Sequence, residues 1–128
     1  MKPEEKLSGH VKKWLDKLNE LGVISTIHFC VPNEFLEQTK GAGFETWKKK
    51  EAMGCLAGAS DWVVIASHSS CLMELKHAKT MKAAIKKLRK SQADFALDCE
   101  RKGVNRYTVF DKDSFIFALK HSGVLKNQ

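Results

Sequence analysis

In the stretch DWVVIASHSSCLMELKH, Asp61 to His77, an Asp opens one apolar run, and a Glu and a Lys stand two positions apart in the next. Those residue types are the parts of a metal-dependent phosphodiesterase. Two carboxylates brought close together repel, and they hold a hard divalent cation well. Mg²⁺ takes one or two carboxylates and completes its shell with water and phosphate oxygens. Such an ion acidifies a bound water and neutralises charge on a scissile phosphate. A nearby Lys orients that water or stabilises the developing negative charge.

The plainer reading of Glu-x-Lys is an exposed strand face with a cross-strand partner. Three features favour the chemical one. Both runs are apolar enough to be central strands. GCLAGAS (Gly54 to Ser60) leads straight into Asp61, and its glycines would let a nucleic-acid backbone approach closely. A strongly basic stretch follows at once.

Alternation along a strand puts Leu72, Glu74 and Lys76 on one face and Cys71, Met73 and Leu75 on the other, which suits a core. On the first strand Asp61, Val63 and Ile65 share a face, and Trp62 alternates away into the core. A turn over His68 to Ser70, centred near Ser69, places Asp61 opposite the Lys76 end of the hairpin. His68 then belongs to the turn, and His77 points away from Lys76.

The surrounding elements follow from periodicity. Leu7, Val11, Trp14, Leu15, Leu18 and Leu21 form one apolar stripe, so a helix is expected from Lys6 to Leu21, stopped by Gly22. VISTIHFCV (Val23 to Val31) is β-branched and aromatic, hence a strand, broken by Pro32 to Glu34. Phe35 to Lys50 reads as a short helix, a loop around Gly41 to Gly43, and a basic stretch. From Thr80 to Lys102 the pattern is helical, with Ile85, Leu88, Phe95 and Cys99 among its apolar positions, and Gly103 ends it. Asn105 to Phe110 is a strand. A last helix is capped by Asp111 and ends at Gly123. Helix, strand, hairpin, helix, strand, helix implies an α/β fold, a mixed sheet flanked by helices, in a single compact domain over residues 1–128.

The chain carries 22 Lys and Arg against 15 Asp and Glu, a net charge of +7, which favours a polyanionic partner. The basic residues cluster in WKKK (Trp47 to Lys50) and in KTMKAAIKKLRK (Lys79 to Lys90). A solvated face is the alternative account of each. Trp47 is a candidate for stacking on bases. No apolar run is long enough to span a membrane, and the charged N-terminus lacks the apolar core of a secretion signal. Cys30, Cys55, Cys71 and Cys99 form no Cys-x-x-Cys pair, so a reduced, cytoplasmic protein is expected. With His28 they show no zinc-site spacing either.

Gly54 to Val64, then MELK (Met73 to Lys76), then LRKSQ (Leu88 to Gln92) resemble the PD-(D/E)xK nuclease superfamily, and within it the VRR-NUC group. HFCVPNE (His28 to Glu34) is similar to that group's strand ending in Pro-Asn, and the likeness runs from about Glu4 to Leu119. The resemblance implies a restriction-endonuclease-like fold and Mg²⁺- or Mn²⁺-dependent cleavage of DNA. It implies Asp61 and Glu74 as metal ligands, joined by Glu4 or Glu5, with Lys76 as the catalytic lysine and Gln92 on the helix facing the site. Asn33 would lie on the substrate side. DNA contacts would come from Lys48, Lys49, Lys50, Lys79, Lys82, Lys86, Lys87 and Arg89. Small members resemble Holliday-junction resolvases, which implies a homodimer acting on branched or duplex DNA. Two departures stand out: Ser60 occupies the usual Pro position before Asp61, and the segment from Lys76 to Gln92 is more basic than in many members. A nucleic-acid-binding module of the same fold without chemistry is the first alternative, and an interaction protein with structural acids the second.

Overall fold

The strand residues pair into one four-stranded mixed sheet, in the order β1 (Thr26–Cys30), β2 (Trp62–Ala66), β3 (Ser70–Leu75), β4 (Arg106–Val109). The computed structural model describes residues 1–31, 48–49, 52, 54, 56–126. β1, β2 and β3 are antiparallel neighbours, and β4 runs parallel to β3. The helices are α1 (Pro3–Glu20), α2 (Met81–Lys86), α3 (Lys90–Lys102) and α4 (Lys112–Ser122). No helix among the described residues is long and apolar enough to cross a membrane.

α1 starts a turn earlier than its apolar stripe indicates, because Pro3 suits the first turn and the Glu5 carboxylate accepts the Lys2 backbone N–H at 3.2 Å. Leu7, Val11 and Leu15 are buried from it, whereas Leu21 is exposed at its C-terminus. The N–H groups of Val23 and Ile24 donate back to Leu18 O at 3.0 and 3.4 Å. They close the helix, so β1 begins at Thr26 rather than at Val23. α4 begins and ends where its caps indicate. Asp111 Oδ1 accepts from Ser114 N at 2.8 Å, and Gly123 takes the left-handed conformation with φ of 85°.

The two faces of the sheet are unlike. One carries the apolar core: Trp62, Val64, Cys71, Met73, Leu75 and Val109 pack against Leu7, Val11 and Leu15 of α1 and Phe115, Ala118 and Leu119 of α4. Trp62 closes this side by donating its indole N–H to Ser8 Oγ at 2.9 Å. The other face bears Glu74, Lys76 and Thr108, all buried, together with Asp61 and Arg106. α2 and α3 pack against β4, with Ala84, Gln92 and Cys99 buried outside the apolar core.

The helix expected over Thr80 to Lys102 is two helices. α2 ends at Lys86 with Lys87 as its C-cap, and Arg89 takes an extended conformation with φ of −71° and ψ of 161° before α3 begins. Lys79, Lys82, Lys86, Lys87, Arg89 and Lys90 crowd positive charge there with no acid among them, so a continuous helix would stack like charges a turn apart. The side chain of Gln92 accepts the Arg89 backbone N–H at 2.9 Å and caps the new N-terminus. The break also changes the buried face: Ala84 and Gln92 turn inward, and Ile85 is exposed.

Gly58 fixes the loop before β2 against that break. Its φ is +79°, and a Cβ there would lie 2.1 Å from Ser91 O and 2.8 Å from Gln92 N. The room this glycine makes is used by the chain's own backbone, where a nucleic-acid backbone was expected. Gly58→Ala therefore combines left-handed strain with a clash and should cost about 2–4 kcal/mol. Urea unfolding of the variant measures this, and an unchanged midpoint would mean that the loop does not rest on α3.

Candidate functional site

β3 lies between β2 and β4, so a side chain on its second face is enclosed by neighbours on both sides. Glu74 is such a residue, with 1% of its surface exposed. The hairpin register decides what stands beside it. Ala66 N donates to Ser69 O at 2.8 Å and Ile65 pairs with Ser70, so the turn centres on Ser67 and His68, and Ser70 is already in the strand. Trp62 pairs with Met73, which brings Asp61 opposite Glu74 and not opposite the Lys76 end. The shift corrects the expected turn centre at Ser69 and moves the two acids closer together. Asp61 Oδ2 accepts the Leu75 backbone N–H at 2.8 Å, which holds its carboxylate across the strand pair.

On the other side Glu74 pairs with Thr108, and Arg106 pairs with Leu72. Arg106 and Thr108 therefore share the Glu74 face. Arg106 Nη1 donates to Thr108 Oγ1 at 2.9 Å, which pins the guanidinium. Its Nε and Nη2 are buried and have no partner. The same holds for both carboxylate oxygens of Glu74 and for Ser60 Oγ. Lys76 is 7% exposed, and its ammonium makes no hydrogen bond or ion pair among the described residues. The site is thus an enclosed set of acids and cations whose polar edges are largely unsatisfied, a rare condition for buried groups.

The electrostatics follow from that enclosure. Burial pushes the Glu74 carboxyl up to about 9, and the adjacent Asp61 carboxylate, close enough to share a proton with it, pushes the same way. Lys76 and Arg106 oppose the shift through their charge. Burial lowers the Arg106 guanidinium, against the pull of Glu74 and Asp61. Two carboxylates, one with both oxygens uncommitted, fit a hard divalent cation of the Mg²⁺ type. A cation there would take the place of the proton that Glu74 otherwise retains.

Several expected residues meet here and others do not. Asp61, Glu74 and Lys76 are brought together. Gln92 is buried at 5% exposure, and its side-chain oxygen is committed to the cap of α3. Glu4 and Glu5 are exposed in the first turn of α1, with Glu5 bonded to Lys2 N. Among the described residues no third His, Cys, Asp or Glu joins the two acids in a group able to hold a metal ion. Asn33, Trp47 and Lys50 lie outside the described residues. Lys48, Lys49, Lys79, Lys82, Lys86, Lys87 and Arg89 are all exposed. Lys87 Nζ donates to His77 O. Lys90 pairs with Asp94 at 3.1 Å and Lys102 with Asp98 at 3.2 Å, whereas Lys79, Lys82 and Lys86 make no ion pair among the described residues.

Arg106 and Thr108 were not expected. Their signal is an Arg and a Thr two positions apart in an apolar strand, the same spacing that marks Glu74 and Lys76. No protein-family model, curated protein or solved structure matches this chain.

The raised Glu74 carboxyl has a consequence for stability. In the metal-free folded chain it keeps its proton up to about pH 9, while in the unfolded chain it releases it in the ordinary carboxylate range. The folded state then binds the extra proton, so stability falls as pH rises through that window. Unfolding by urea in EDTA at about pH 5, 7 and 9 should show the decline, and Glu74→Gln should flatten it. An equal slope in both proteins would show that Glu74 is not the group responsible.

Proposed function

We propose that this protein is a metal-dependent DNA endonuclease built on a restriction-endonuclease-like sheet, with Mg²⁺ or Mn²⁺ held by Asp61 and Glu74. The observation that carries the reading is Glu74: a buried carboxyl at the centre of the sheet that no N–H or hydroxyl donor reaches among the described residues, with a second carboxylate close enough to share a proton with it. A structural acid in that position would be expected to close onto a donor, since an unpaired buried charge is strongly destabilising. Bound between these acids, a divalent cation supplies an acidified water and charge neutralisation at the phosphate.

The chain's own groups account for the rest. The reaction adds water to phosphorus, breaks the P–O bond to a sugar oxygen, and delivers a proton to that leaving oxygen. Lys76, next but one to Glu74 on the same face, would orient the attacking water and offset charge on the phosphoryl oxygens. Asp61 is held in place by Leu75 N–H, so its remaining oxygen keeps a fixed position. Gln92 acts through structure: by capping α3 it seats the helix that covers the site.

The basic residues supply affinity without sequence preference. Lys79, Lys82 and Lys86 are exposed on α2 and the segment that joins it to Lys76, unneutralised by neighbouring acids among the described residues. With Lys48, Lys49, Lys87 and Arg89 they would follow a phosphate backbone towards Glu74. Branched DNA, a four-way junction above all, is the proposed substrate, and a homodimer the proposed cutting form, because symmetric cleavage of two strands needs two sites.

The test is incubation of the purified protein with labelled four-way junction, flap, linear duplex and single-stranded DNA, each in Mg²⁺, Mn²⁺ or EDTA. Metal-dependent cutting is expected, falling by about 100-fold or more in Glu74→Ala. Binding without cutting of every substrate, equal in the two proteins, would replace the nuclease with a DNA-binding module.

A further inference from the structure

The guanidinium of Arg106 has two distinct edges. Nη1 is spent on Thr108 Oγ1 at 2.9 Å. Nε and Nη2 form the other edge, in which two N–H bonds lie parallel, the geometry that takes two oxygens of one carboxylate or phosphate. That whole edge is buried and unpartnered. The Glu74 carboxylate would be its natural occupant, yet neither of its oxygens takes a hydrogen bond from that edge. The register explains why they stay apart: Glu74 stands opposite Thr108, while Arg106 stands two residues back opposite Leu72, tied to Thr108.

The unsatisfied groups therefore come in two kinds, acceptors on Glu74 and donors on Arg106 and Ser60. A cation alone would satisfy the first and leave the second. An anion alone would do the reverse. A cation together with a phosphoryl group would satisfy both. The charges agree: with both acids ionised, as they must be to hold a cation, Asp61 and Glu74 carry two negatives and Lys76 and Arg106 two positives, so the four sum to zero. A lone divalent ion entering such a site meets no net attraction and leaves it doubly positive. With a phosphodiester the excess drops to one. Asp61 and Arg106 are half-buried whereas Glu74 and Lys76 are buried, so the first two lie nearest to solvent among the four.

We propose that Arg106 makes divalent-cation binding conditional on a phosphate: its Nε–Nη2 edge grips two oxygens of a phosphoryl group, and the cation binds Asp61 and Glu74 tightly only when that anion is present. This rests on the metal-dependent phosphodiesterase reading above and deepens it. The coupling is reciprocal, so the phosphate also binds tightly only with the cation. A nuclease so built holds little metal at rest and assembles its centre on the DNA strand.

The experiment is calorimetric titration of the intact protein with Mn²⁺, with and without dimethyl phosphate, a phosphodiester too small to be a substrate. In the native protein the diester should tighten Mn²⁺ binding by about ten-fold or more. Arg106→Gln should bind Mn²⁺ alone more tightly than the native protein, because a repelling charge is gone, and should lose the effect of the diester. Arg106→Lys keeps the charge without the two-pronged edge, so Mn²⁺ alone should stay weak and the coupling should fall. Mn²⁺ binding to the native protein that is indifferent to dimethyl phosphate overturns this proposal and leaves the metal reading standing. No Mn²⁺ binding with or without the diester, alongside no cleavage of DNA, sinks both. The decisive comparison uses the native protein, so misfolding of a variant cannot obscure it.

Discussion

A carboxylate at the centre of a β-sheet is the constraint around which this molecule is arranged. Glu74 lies in β3, buried, with a strand on either side and α2 and α3 packed on the neighbouring β4. Left ionised and alone it would be strongly destabilising. The chain surrounds it with charge of the opposite sign instead of replacing it. Lys76 comes from its own strand and Arg106 from the parallel neighbour, while Asp61 adds a second acid from the antiparallel one. The result is a sheet with two unlike faces. One is an ordinary apolar core, held by α1 and α4, which supplies the hydrophobic stabilisation of the fold. The other is a polar interior, which that core has to carry.

Covering a polar interior places unusual demands on the segment that does it. A single long helix after Lys76 would lay a run of lysines over the site at its full length. The chain breaks at Lys87 to Arg89 instead. α2 stays short, with its lysines exposed, and α3 restarts with Gln92 turned inward. One side chain does both jobs: Gln92 fills space over the buried face and caps the helix it begins. Gly58 then lets the loop that delivers Ser60 and Asp61 lie directly on the backbone at Ser91 and Gln92. The approach to the first acid and the cover over the second are thus mechanically one piece. A disturbance at either the loop or the helix start should be felt at the pair of carboxylates.

What was legible in the sequence is what is encoded locally. Alternation in Cys71 to Lys76 assigned the two faces of β3 correctly, because a strand's period leaves no choice once one face is apolar. Asp111, Gly123 and Gly103 marked helix ends through capping chemistry that depends on a few adjacent residues. What escaped was set by partners distant in the chain, or by close alternatives. The turn at Ser67 and His68 lies among three serines and a histidine, none of which dictates its centre, so the exact partner of Asp61 followed only from pairing. Arg106 lies thirty-odd positions beyond Glu74 (106 against 74), and nothing but the parallel alignment of β4 with β3 brings them together. The α2–α3 break depends on Gln92 competing for a backbone N–H, a small energetic preference that apolar periodicity does not register.

The arrangement of the four charged groups differs from that of a structural ion-pair network. Such networks gain by closing, since each bond formed removes two desolvation penalties at once. Here the sheet prevents closure. Strand spacing and register hold Glu74 and the open edge of Arg106 apart, Thr108 anchors the guanidinium, and Leu75 N–H anchors Asp61. Asp61 and Arg106 are each fixed by a bond that uses one part of the side chain and leaves another part unused, while burial on the middle strand holds Glu74 and Lys76. Groups held in this way are already aimed when a charged ligand arrives, and little reorganisation is then required of them, which is the condition under which buried dipoles and charges act most strongly on a reacting centre. The cost of keeping donors and acceptors unsatisfied is borne in the resting protein by the apolar face of the same sheet. That division of labour between the two faces accounts for a stable domain with an unsatisfied polar interior.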